Sequence, residues 1–276
     1  MNFENTQTYG WKNAVHGMRN PKGTWAKSDS YFGIIQGDSD SNDLYTALKW
    51  VQKEHPEIKI GSDEEIIATD EKREWLIING VIQRNYIDSV YEVAYLGPED
   101  IGLMQRLILA GTEHCKFSRQ ILLSVDITAP LYWWKEMDTY KIGTVADSTS
   151  TMHTLTSIPI TKECFEMDDF DEDMMMYEKE PYNSDMYMSE FWDMLINDLE
   201  YLRKKYNETH DVRYWKELIR ILPEGWLQTR TWSANYQVLR NIYHQRKDHK
   251  LSEWHQFCGW IKTLPYAKEL ITVGID

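Results

Sequence analysis

Long apolar runs are absent from this 276-residue chain: nothing approaches eighteen consecutive apolar residues, so no membrane-spanning helix is expected. Cysteine is scarce. Cys115, Cys164 and Cys258 are odd in number and far apart, which argues against a disulfide framework and fits the reduced thiols of a cytoplasmic protein. Positive charge is also short, with 30 Lys+Arg against 44 Asp+Glu and a net charge of -14. That balance excludes a partner held by phosphate-backbone electrostatics, such as bulk DNA or RNA, but leaves room for one nucleotide bound by a few local bases. The opening MNFENTQTYGW has neither a basic region nor an apolar run, so no signal peptide is expected. No G-x-S-x-G, Walker loop or G-x-G-x-x-G occurs, which removes the usual hydrolase, P-loop and Rossmann readings. Neither H-E-x-x-H nor C-x-x-C occurs, so no zinc site is expected.

What the chain does have is apolar and aromatic material: 42% hydrophobic residues, twelve Trp and seventeen Tyr. Its length suits a single domain over residues 1–276 with a substantial core. Helical spacing of Leu44, Leu48 and Val51 predicts a helix over 43–55, closed by Pro56. Residues 74–93 read as a β-hairpin with Asn79-Gly80 as a primed turn. Pro98-Glu99-Asp100 opens a helix that Gly111 ends. The alternation of Ile121, Leu123, Val125 and Ile127 predicts a strand over 120–128, and Pro130 is suited to the first position of a helix over LYWWKEMDTYK. Helices are expected over 212–221, 234–247 and 252–262. Both element types mix without a βαβ rhythm, so the fold class is α+β.

The acid is concentrated. Between Cys164 and Glu200 lie thirteen Asp/Glu against one Lys, together with seven of the twelve Met. Residues 164–185 read as an exposed acidic, Met-rich loop. Beyond it Ser189 can cap a helix that runs to Tyr206 through Phe191, Leu195, Leu199 and Leu202. Asp169, Asp171, Asp173 and Glu180 imitate a calcium loop, but Met174 stands where that loop needs Gly, so a solvated acidic loop is the reading and no metal is expected.

The last sixty residues hold a polar constellation: Arg220-Ile-Leu-Pro223, then Thr229-Arg-Thr-Trp232, leading into Asn235, Asn241, Arg246 and Asp248. On a helix Asn235, Leu239, Ile242 and Arg246 share one stripe, with its ends roughly 16 Å apart. Such a stripe suits an elongated ligand such as a dinucleotide. It equally suits a helix packed on the core with capped polar ends.

Two blocks together resemble the flavin-dependent thymidylate synthases. The first spans 97–152: the Pro98-x-Asp100 helix, a Gly111-x-x-His114 turn, the alternating strand, then Ala129-Pro130 and a helix. The second, from Arg220 to about 270, carries the R-I-L-P, W-x-x-N and N-x4-R-x-D runs. Ala14 to Arg19 is similar to an early segment of the family. Where the family carries Arg-His-Arg-x7-Ser, this chain has Thr139-Tyr140-Lys141 and Thr149, and the Arg that follows the motif becomes Thr151. The family's nearby Gln, Asn and Glu fall on Glu136, Ala146 and Asp147, and a helix Arg and a His fall on Gln237 and Lys250. Asn235, Asn241 and Arg246 match, as does Arg220 with one residue deleted.

The resemblance implies a central antiparallel-rich sheet with flanking helices and an inserted helix and hairpin over approximately 38–95. It implies FAD, with NADPH and a methylene-folate as co-substrates. For flavin it implies contacts from Asn235, Asn241, Tyr140, Lys141, His114 and Asp147. For a deoxyuridine-type nucleotide such as dUMP it implies Arg220, Glu136, Thr149, Ser150 and Arg246, with Arg246 neutralising charge on the activated ring. A homotetramer with shared sites is also implied. The expected activity is reductive one-carbon transfer to C5 of the pyrimidine, a methyltransferase of nucleotide biosynthesis. The lost signature supports an alternative, a non-catalytic protein on the same fold that sequesters or senses a nucleotide.

Overall fold

A computed structural model of the chain describes residues 1–36, 75–77, 81–85, 90–177 and 185–276. In chain order the first half gives β1 (Asn2–Tyr9), α1 (Trp11–Arg19), β2 (Tyr31–Gln36), β3 (Trp75–Ile77), β4 (Val81–Asn85), β5 (Val90–Tyr95), α2 (Pro98–Leu109), β6 (Leu122–Pro130) and α3 (Leu131–Met137). The second half gives β7 (Val145–Ser148), α4 (Thr151–Thr154), β8 (Met175–Tyr177), β9 (Met186–Tyr187), α5 (Met188–Thr209) and α6 (Val212–Ile221). It ends with β10 (Leu227–Asn235), α7 (Tyr236–Arg246), α8 (Ser252–Lys262) and α9 (Ala267–Leu270). Strands order as β1-β6-β10-β7, β2-β5-β4-β3 and β8-β9. The chain divides into a smaller unit (Met1–Asn2, Thr128–Thr139, Asp147–Arg230) and a larger one (Phe3–Ile127, Tyr140–Ala146, Thr231–Asp276).

In the larger unit, Gly10 turns the chain sharply from β1 into α1. Its φ is +85°, and a Cβ there would overlap the Gln120 carbonyl oxygen, so only glycine fits. Helix α1 buries Trp11, Ala14, Val15 and Met18, the face that helical spacing predicts. Its last residue, Arg19, reaches the carboxylate of Asp100 in the first turn of α2, with Nε 2.7 Å and Nη2 2.5 Å from Oδ1. The hydroxyls of Ser28 and Ser30 donate to the other oxygen at 2.5 and 2.6 Å. Both members of this ion pair are buried, and the saturated hydrogen bonding of Asp100 makes that burial tolerable.

The α2 helix begins at Pro98 and is followed by Gly111 at φ +110°, matching both expected punctuation marks. Strand β6 buries Leu123, Val125, Ile127 and Ala129 while its alternate residues face outward. The expected hairpin is present as β3 and β4, antiparallel with Ile77 opposite Val81, and β5 extends it antiparallel along β4. The Asn79-Gly80 turn and the helix expected over 43–55 lie outside the described residues. Helices α7 and α8 close the core with Leu239, Ile242, Trp254, Phe257 and Ile261, all fully buried.

The smaller unit packs α5 against α6. Its core is Leu155, Ile160, Phe165, Leu199, Leu218 and Trp226, with Leu195 and Leu202 alongside. The Phe165 ring meets Trp226 edge-on at 5.5 Å. Four expectations are corrected here. Pro130 ends β6 and precedes α3 instead of occupying its first helical position. Helix α3 also stops at Met137, not at Lys141, because the Thr139 hydroxyl turns back to the Glu136 carbonyl at 2.7 Å. Helix α5 starts one residue before Ser189, since the Glu190 carboxylate accepts the Tyr187 N–H at 3.0 Å and closes the first turn without a serine cap. Of the acidic segment, Asp171–Met176 are exposed, whereas Phe165 belongs to the core and so departs from the expected loop, and Met175–Tyr177 and Met186–Tyr187 pair as an antiparallel ribbon. Among the described residues no helix is long and apolar enough to cross a membrane.

Candidate functional site

Within the larger unit, the segment Tyr140–Ala146 runs beside α7 and touches both its ends. At the C-terminal end, Arg246 Nε donates to the Tyr140 hydroxyl at 2.8 Å, and that hydroxyl donates to Gln245 Oε1 at 3.2 Å. The Arg246 guanidinium lies over the Trp254 ring of α8 at 4.7 Å and over Tyr140 at 5.6 Å. Two aromatic faces and a phenol therefore fix a half-buried guanidinium in one orientation. At the N-terminal end, Asn235 caps α7 by accepting the Val238 N–H on Oδ1 at 3.1 Å. That leaves its Nδ2 toward the segment at Gly143, where an added Cβ would stand 3.0 Å away. Gly143, at φ +77°, makes this approach possible, and the Thr144 hydroxyl bonds the Tyr140 carbonyl to close the turn.

Three more candidates belong to this unit. Asn241 is exposed on α7, with Oδ1 accepting from Gln237 Nε2 at 3.1 Å, so its own amide N–H groups turn outward. Lys141 is exposed in the turn, next to Tyr140. His114 is exposed in the turn after α2, where its backbone N–H donates to the Gly111 carbonyl at 2.9 Å. The polar stripe of α7 resolves into a packed middle and polar ends: Leu239 and Ile242 are in the core and not against a ligand.

The remaining candidates lie in the smaller unit. Thr149 donates its N–H to the Thr229 carbonyl at 2.9 Å and its hydroxyl to the same atom at 3.2 Å. Ser150 precedes the short α4 and accepts on its carbonyl, from the N–H and hydroxyl of Thr154. Asp147 is exposed in β7, and Glu136 is partly buried in α3. Arg220 is exposed on α6 and paired with Glu217 one turn back. Among the described residues no group of His, Cys, Asp and Glu is arranged to hold a metal.

Sequence reasoning assigns no role to Trp254, Gln245, Gln228 or Arg230. The alternation of Gln228 and Arg230 with apolar or hydroxyl residues through β10 was the available signal. The run leading to Trp232 carries strand periodicity and forms β10.

No family model matches the sequence, and no curated protein matches it either. Solved structures do. The chain superposes along its whole length on flavin-dependent thymidylate synthase ThyX from Helicobacter pylori complexed with FAD and dUMP. The TM-score is 0.55, the identity 13%, and the match covers 100% of both chains. A second structure of thymidylate synthase X from the same organism, also with FAD and dUMP, matches at TM-score 0.52 and 15% identity over 98% of this chain and 97% of that one. The chain therefore has the α+β fold of the flavin-dependent thymidylate synthases, reached with little sequence in common.

Proposed function

We propose that this protein is a flavin-dependent thymidylate synthase-like enzyme acting on a deoxyuridine-type nucleotide. The observation that carries the reading is Arg246, fixed by Tyr140 and Trp254 at the end of α7 in a fold whose solved examples hold FAD and dUMP. A guanidinium clamped in this way suits stabilising negative charge on a pyrimidine ring as C5 becomes nucleophilic. Its orientation is set before a ligand arrives, so little ordering remains to be done on binding.

The donor set of the larger unit fits a flavin. The outward amide of Asn241 and the Nδ2 of Asn235 suit the carbonyl and ring-nitrogen edge of an isoalloxazine, the Tyr140 ring offers a stacking face, and Lys141 and His114 offer charge or a hydrogen bond to phosphate. Bound FAD would supply hydride chemistry, with NADPH as reductant and a methylene-folate as one-carbon source. The protein's own residues would bind, orient and stabilise charge. In the smaller unit, Thr149, Ser150, Glu136 and Arg220 are assigned to the nucleotide and Asp147 to the flavin. A homotetramer in the cytoplasm completes the proposal.

A second reading is a nucleotide-binding protein without turnover. It is favoured by the hydroxyls of Thr139 and Thr149, which are directed at backbone carbonyls in place of the motif's arginine and serine. The visible absorption spectrum before and after adding FAD separates the two. Flavin absorbance followed by tritium release from labelled deoxyuridylate supports the enzyme. A protein that binds dUMP but ignores FAD supports the second reading, and one that binds neither rejects both.

A further inference from the structure

We infer that Arg230 is an anion-recognition residue, placed to take the phosphate of the nucleotide; this rests on the nucleotide-binding reading above. Every group invoked belongs to the smaller unit. The Arg230 side chain is only 16% exposed, and its guanidinium lies 4.3 Å over the Trp134 ring, itself fully buried in α3. Nε donates to Gln228 Oε1 at 2.9 Å, and Nη1 donates to Asp138 Oδ1 at 2.8 Å. Gln228 is buried, and the other end of its amide donates to the Thr149 carbonyl at 2.8 Å. The indole N–H of Trp134 in turn donates to the Gln228 carbonyl at 2.9 Å, tying helix to strand behind the guanidinium.

This arrangement joins the two ends of the segment on which the synthase motif falls. Asp138 precedes Thr139, where the family has its first arginine, and Thr149 stands at the motif's serine. The charge missing from position 139 is restored from β10, one residue after the carbonyl that receives Thr149. Nη2 has no hydrogen-bond partner among the described residues, so the edge of the fork beyond Asp138 is left to an external acceptor. A buried amide has both its ends committed to holding this cation and the neighbouring loop in register. An arginine serving only a surface ion pair needs no such support, because exposed pairs contribute little.

The other arginines of the unit are less suited. Arg203 spends Nε and Nη2 on Glu200 and Nη1 on the Thr156 carbonyl. Arg213 and Arg220 are exposed on α6 and paired with Asp211 and Glu217. Asp138, by contrast, is 54% exposed and can leave Nη1 without being buried unpaired. A phosphate monoester would displace it and receive a forked pair of charge-assisted hydrogen bonds from a guanidinium already oriented by Trp134 and Gln228.

The test is equilibrium binding of dUMP and deoxyuridine to the full-length wild type, Arg230→Gln and Asp138→Asn, with thermal melts to verify folding. Arg230→Gln should weaken dUMP binding by about 10- to 100-fold and leave deoxyuridine unchanged. Asp138→Asn, which removes the competing carboxylate, should tighten dUMP binding several-fold, a gain that a purely structural ion pair would not give. Wild-type binding of dUMP that Arg230→Gln leaves intact, or that falls equally for both ligands, overturns the inference while sparing the nucleotide reading. So does an Asp138→Asn protein no tighter than wild type, even where Arg230→Gln fails to fold. A wild type that binds neither ligand overturns the nucleotide reading itself, and Arg230 with it.

Discussion

Arg246 stands out among single residues because the Tyr140 hydroxyl and the ring faces of Tyr140 and Trp254 fix its guanidinium in place. Arg246→Ala should abolish nucleotide binding or turnover, and the melting temperature should stay within a few degrees of wild type because the residue ends a helix. Ordinary kinetics in that variant would sink the catalytic assignment. Tyr140→Phe removes the hydroxyl but keeps the ring, and should cost about 1–3 kcal/mol of stability by chemical denaturation, the net worth of the two hydrogen bonds that hydroxyl makes. Arg246 was legible in the sequence as the polar end of a stripe. Its clamp was not, because Tyr140 lies 106 residues away and Trp254, although near in sequence, is on the next helix, where only the turn between α7 and α8 brings its ring over the guanidinium. Arg230 was hidden for a related reason: Asp138, Thr149 and Trp134 reach it only through the pairing of β10 and the packing of α3.

At the scale of elements, local signals were read well and long-range supports poorly. Pro98 and Gly111 bound α2 as their backbone preferences require, and the alternation through β6 matches its buried face. Strand β1 carries a weak periodic signal, whereas helix α1 has a clear apolar face; both owe their place to Gly10 and to the Arg19–Asp100 pair. Asp100→Asn should therefore destabilise the protein by about 3–5 kcal/mol, since it leaves a buried guanidinium without its counter-ion; a loss below 1 kcal/mol in urea unfolding would contradict the account. In α5, the Arg203 guanidinium and the Ile160 N–H hold the Glu200 carboxyl down at about 2 despite partial burial, from an ordinary value near 4.5. A carboxyl depressed on folding stabilises above its unfolded pKa, and that contribution is lost as pH falls toward the folded value. Glu200→Gln should thus cost about 2 kcal/mol at pH 7. It should also flatten the loss of stability between pH 5 and pH 2; an unchanged acid limb would show that the ion pair is not what holds α5 against the Ile160 segment.

For the whole molecule the governing quantity is a net charge of -14, nearly all of it from the acid between Cys164 and Glu200. The fold class was readable from the mixture and order of elements. The likeness to the thymidylate synthases was readable from motif layout although their signature is missing, because layout follows packing whereas a signature follows ligand chemistry. The same charge makes a kinetic prediction. A nucleotide carrying a phosphate dianion approaches a polyanionic molecule, so at low salt the long-range field opposes encounter even if a local arginine completes capture. The Debye length falls from about 30 Å at 0.01 M to about 8 Å at 0.15 M salt, which removes the distant repulsion while leaving contacts at the guanidinium largely unscreened. The association rate constant for dUMP, followed by stopped-flow, should therefore rise with ionic strength over that range, whereas the dissociation rate constant should rise less. Deoxyuridine, without the phosphate, should show neither trend. An association rate that instead falls with salt would mean that local cations, and not the acidic segment, dominate the field along the approach, and the reading of the acid as a barrier to polyanions would have to be given up.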